Sequence, residues 1–148
     1  MKEPSASSLI RADAKLNFTE LPSVFYLYTE ETKGEPKHKY LVILSADRQE
    51  AYFFMIDSVR YWEGIGEIPV TPEELPCLSR NSWIDCRELF SVSREELVRR
   101  MAMNIDTYER GSVPNVVIER MRTAVLNSTT LMEWEIDLVL SALDNKKQ

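Results

Sequence analysis

Three short apolar runs dominate the first half of the chain: Val24–Tyr28, Tyr40–Ser45 and Ala51–Asp57. They are rich in aromatic and β-branched residues and are bounded by charged or turn-forming stretches, the pattern that predicts β-strands. The interval from Thr29 to Lys37 is polar and carries Gly34 and Pro36, and Ala46–Glu50 is short enough for a hairpin. A meander or small barrel follows from that order. Gly64, Gly66, Pro69, Pro72 and Pro76 then crowd one segment. This predicts loop, with a short strand at Glu67–Val70 and one more at Ser82–Cys86.

After these strands the period changes. Ser93 with Glu96 forms a capping box, and Leu97, Met101, Ile105 and Tyr108 recur at helical spacing until Gly111. Pro114 suits a first turn, and Val117, Met121, Ala124 and Val125 predict a second helix to about Asn127. Thr130 with Glu133 reads as a further capping box, opening a third helix with Leu131, Trp134, Leu138 and Leu140–Leu143 on its apolar face. Residues 1–20 have only scattered apolar positions and predict a flexible N-terminal arm or a short docking segment, with no element assigned. Strands first and helices after give an α+β class, with 21–148 as a single domain: a β part over 21–92 and a helical part over 93–145.

Composition narrows the function. The chain has 148 residues, 44% of them hydrophobic, enough for one core. Asp and Glu number 24 against 18 Lys and Arg, a net charge of −6. That balance excludes a globally basic nucleic-acid binder but leaves room for local basic patches. No apolar run approaches the roughly 18 residues of a membrane span. The first residues lack the apolar block of a secretion signal, and two cysteines are too few for a disulfide scaffold. A cytoplasmic location with reduced thiols is expected. Cys77, Cys86 and the single His38 cannot complete a four-ligand zinc site, and the four glycines make no phosphate loop. No metal or cofactor is expected.

The candidate chemistry is therefore acid–base and cationic. Lys37-His38-Lys39 sets one imidazole between two ammonium groups just before an apolar strand. An imidazole can take or give a proton near neutral pH, and a lysine beside it can hold a phosphate; an exposed basic turn is the plainer alternative. Arg60, Tyr61 and Trp62 combine a cation with two flat rings, as single-stranded nucleic-acid surfaces do, or as a tryptophan packed on the core does. Six arginines between Arg94 and Arg122 are interleaved with acids and read as a solvated face. Trp134 and the Leu138–Leu143 stretch read as core or as a partner-binding surface.

From Pro22 to Arg87, roughly half the chain, the order of features resembles the MazF/PemK-type toxins of bacterial toxin–antitoxin pairs. The resemblance rests on Val24–Tyr28, on Lys37–Ser45, on the Ala51–Ile56 run ending in Asp57-Ser58, and on Leu78–Cys86 before the Ser93 cap. It implies a small antiparallel SH3-like β-barrel, here followed by about three C-terminal helices, and metal-independent cleavage of single-stranded RNA by the ribose 2′-hydroxyl. By that resemblance the family's arginine falls on Lys39, its strand-end hydroxyl on Ser58 and its acid on Asp85; His38 joins them on chemical grounds. Lys37, Arg60 and Trp62 are the expected RNA contacts. An antitoxin or other protein partner, and a homodimer through the helical part, are further expectations. The alternative is a non-catalytic barrel acting as a protein-interaction module.

Overall fold

The computed structural model describes residues 3–32, 34–60, 66–104 and 109–145. In chain order the elements are α1 (Ala6–Phe18), β1 (Ser23–Thr29), β2 (Lys37–Ala46), β3 (Glu50–Asp57), β4 (Glu67–Val70), β5 (Ser82–Ser93), α2 (Arg94–Ala102), β6 (Glu109–Ser112), α3 (Asn115–Leu126) and α4 (Glu133–Asn145). The six strands form one curled sheet in the order β4-β5-β3-β2-β1-β6, every neighbouring pair antiparallel. Register shifts at Val24/Phe25, Ile43/Ser45 and Phe53/Met55 mark irregularities that add local twist. The fold is α+β, as the order of periodicities predicts.

Both faces of the sheet are covered. One face presents Val24, Val42, Leu44, Phe54, Ile56, Ile68, Ile84 and Cys86 to α3 and α4, which contribute Val117, Met121, Val125, Val139 and Leu143. The other presents Phe25, Leu27, Leu41, Ile43, Phe53 and Met55 to Ala12 and Leu16 of α1 and to Leu97, Val98 and Met101 of α2. Burial on both sides explains why the strand sequences are near-continuous apolar runs rather than alternating ones.

Three expectations change. The N-terminal segment contains a helix: the Ser5 hydroxyl accepts the Ser8 N–H at 3.1 Å, and Ala12 and Leu16 are buried against the sheet–α2 side. Its signal is faint because its buried face is narrow and half of it is an alanine. The helix after Ser93 begins as expected, the hydroxyl accepting the Glu96 N–H at 3.0 Å, but ends at Ala102. Ile105 and Tyr108, expected to extend it, lie outside the described residues. Beyond them, Glu109–Ser112 joins the sheet as β6, with Gly111 at φ +140° opposite Val24. Pairing to β1 carries the chain from the α2 face to the α3 face. Thr130 does not cap α4. Its hydroxyl donates to the Arg87 carbonyl at 2.6 Å, and Ser128 Oγ accepts the N–H groups of Thr130 and Leu131. Glu135 reaches back to the Met132 N–H at 2.8 Å, so the helix starts three residues later than Thr130.

Candidate functional site

Antiparallel register brings three separate segments to one end of the sheet. Leu41 opposite Met55 places the start of β2 beside the end of β3, and Asp57 opposite Trp83 places the residues before β5 beside both. A cleft of about 310 Å³ opens there, lined by Tyr26, Lys37, His38, Ser58, Arg80 and Ser82 among others. Lys37, His38, Ser58 and Arg80 are exposed, so their polar groups are open to solvent and to ligand. Cross-strand pairing of Tyr26 with Tyr40 and of Tyr28 with His38 sets four rings side by side. His38 lies over Tyr26 with centroids 5.4 Å apart and planes at 27°, Tyr28 meets it edge-on at 5.7 Å, and Tyr26 leans on Tyr40 at 4.7 Å. Tyr40 packs on the core and donates its hydroxyl to the Cys77 carbonyl at 3.1 Å. The imidazole is thus held by its neighbours.

Strand alternation turns Lys37 and Lys39 alike to the face opposite His38, and burial separates the two lysines: Lys37 is exposed at the start of the strand, whereas the Lys39 side chain is only 13% exposed. Successive side chains point to opposite faces, and even-numbered residues of β2 and β3 face α3 and α4. Lys39 and Asp57 border the cleft. Their charges, however, are paired with one another and belong to a row across the α1–α2 face of the sheet. Asp57, Glu67 and Asp85 offer carboxylate oxygens that all lie within 4.8 Å of one another. Arg87 grips Asp85 through Nε and Nη2 at 2.9 Å each, and its Nη2 stands 3.9 Å from Glu67, which is 2% exposed. The Asp85 hydrogen bonds raise the Arg87 pKa above its ordinary value, outweighing the partial burial that opposes them. Three carboxylates and two cations nearly neutralise one another, which is how charge survives at low exposure. Their oxygens could reach a cation, but Lys39 and Arg87 already fill that role.

The structure therefore lines the cleft with His38, Ser58, Lys37 and Lys39, but the Lys39 charge is taken up by Asp57, and Asp85 lies in the carboxylate row of the opposite face. Arg60, two residues past Ser58, is exposed, and Trp62 lies outside the described residues. Cys86 is buried in the core beside Asp85; burial first, and that negative charge second, push its thiol far above the ordinary range, so it supplies no thiolate at neutral pH. Sequence reasoning missed Arg80 and Tyr26. The polar turn Ser79-Arg80-Asn81 before an expected strand was the available signal for Arg80, but only the β3–β5 register puts that turn beside Ser58. Compared with known proteins, the sequence matches no protein-family model and no curated protein.

Proposed function

We propose that the cleft binds and cleaves single-stranded RNA without a metal ion, in the manner of a toxin–antitoxin endoribonuclease, and that the curled sheet is an opened SH3-like barrel of the MazF/PemK kind. The observation that carries this reading is the convergence of an imidazole, an ammonium, a guanidinium and hydroxyls on one open cleft in a chain whose net charge is −6. His38 accepts the ribose 2′-hydroxyl proton as the 2′-oxygen bonds to phosphorus. The bond from phosphorus to the 5′-oxygen then breaks, and that oxygen takes a proton from water, leaving a 2′,3′-cyclic phosphate and a 5′-hydroxyl. Lys37 and Arg80 stabilise the negative charge that builds on the phosphoryl oxygens, and Ser58 donates a hydrogen bond to them. Lys39 and Asp85 maintain the sheet rather than touch the phosphate.

Long single-stranded RNA incubated with the protein in excess EDTA, with cuts mapped by primer extension, tests the reading. Wild type gives defined cuts, and His38→Ala cuts about 10²–10⁴-fold more slowly with an unchanged melting temperature. Intact RNA after incubation with folded wild-type protein refutes it. That result would favour the second reading, a non-catalytic protein-interaction module, for which Met132, 63% exposed just before α4, and Trp134, 53% exposed on its first turn, supply the surface.

A further inference from the structure

The four rings at the cleft do more than hold the imidazole. Cross-strand aromatic pairs are ordinarily a packing device, buried on one side of a sheet. Here only Tyr40 packs on the core; Tyr26 and Tyr28 are half-buried and His38 is exposed. Tyr26 and His38 both line the cleft, together with Lys37, Arg80 and Ser58. A flat apolar surface beside cations is what an unstacked nucleobase with its phosphate requires: the base finds a π-face, and the phosphate finds charge.

We infer that the Tyr26–His38 pair, flanked by Tyr28, is a stacking platform for one nucleobase of the RNA, seated next to the phosphate held by Lys37 and Arg80. This rests on the RNA reading above and adds what selects the substrate. A duplex keeps its bases stacked on each other and offers none to the platform, so single strands are selected by shape rather than sequence. Every base has a π-face, so the platform tolerates all four. It also couples binding to chemistry, because the base that stacks there presses on the ring that takes the proton.

The test uses a fluorescein-labelled 2′-O-methyl RNA of mixed sequence, which cannot be cleaved, and an abasic strand of the same length and charge, followed by anisotropy at one salt concentration. Wild type binds the mixed-sequence strand more tightly than the abasic one. Tyr26→Leu, which keeps apolar bulk at β1 and removes the ring, weakens the mixed-sequence strand about tenfold and leaves the abasic strand unchanged; Tyr26→Phe binds as wild type. The platform is overturned if wild type fails to distinguish the strands, or if Tyr26→Leu, with wild-type melting, binds both as wild type does or loses both equally. Ring-dependent binding with no cleavage of natural RNA would support the platform and sink the ribonuclease reading. Cleavage with an unaltered KM in Tyr26→Leu would do the reverse.

Discussion

Lys39→Met separates a structural lysine from a catalytic one. The Lys39 and Asp57 side chains are 13% and 14% exposed and paired with each other. The same Asp57 has the Glu67 and Asp85 carboxylates within 4.8 Å. With Lys39 and Arg87 the group of five carries a net charge of −1; without Lys39 it carries −2, with Arg87 committed to Asp85. Two unit charges 4.8 Å apart repel by about 3.5 kcal/mol at an effective dielectric near 20. Removing one partner of a buried ion pair costs about 3–5 kcal/mol, which water reaching Asp57 through the cleft lowers to about 2–3 kcal/mol. For a domain of this size that is a fall of roughly 4–12 °C in melting temperature. Urea denaturation and calorimetry at pH 7 measure it directly. The double variant Lys39→Met with Asp57→Asn removes both partners and recovers most of the loss, since no carboxylate is left stranded there. RNA cleavage by the folded single variant stays within a few-fold of wild type, because the His38 platform is untouched. A Lys39→Met protein as stable as wild type to within about 0.5 kcal/mol, or a double variant no better than the single, refutes the argument.

Two further outcomes test the packing. Leu16→Ala, at a position buried between α1 and the sheet, lowers urea-measured stability by about 2–4 kcal/mol; an N-terminal segment acting as a loose arm would tolerate it. Arg100, 4% exposed, binds Glu31 at 2.9 and 3.0 Å and Glu96 at 2.7 Å, tying the loop after β1 to α2. Burial pushes the Glu31 pKa up, but the Arg100 hydrogen bonds and charge outweigh it, and Glu96 is held low first by Arg99 and then by Arg100; both lie below the ordinary glutamate value of 4.5. A lowered folded-state pKa means stability that is complete above about pH 4.5 and lost as pH falls through the folded values. The penalty of Arg100→Met, about 2–3 kcal/mol at pH 7 because both glutamates keep some water, therefore shrinks as the pH is lowered to 3. A penalty that is constant with pH contradicts the network.

What could be read from the sequence was what depends on a few neighbouring residues. The Val24–Tyr28, Tyr40–Ser45 and Ala51–Asp57 runs, the Ser93 cap and the apolar spacing of α3 each act locally, through β-branched packing, a hydroxyl on an orphan N–H, or a repeat near 3.6 residues. Lys37-His38-Lys39 could likewise be singled out, because a lone imidazole among ammonium groups is unusual chemistry wherever it folds. The rest depended on partners distant in sequence. Glu109–Ser112 has no strand signature of its own and is a strand because β1 needs an edge partner. The buried side of α1 becomes visible only when α2 and the sheet are there to cover Leu16. The site was decided at the same level. Adjacent residues of a strand point to opposite faces; that Tyr26 rather than Leu27 shares the face of His38, and that Asp85 does not, therefore rests on one-residue register across β1, β2, β3 and β5. Register is set by the summed packing of both cores, which no local stretch of the sequence contains.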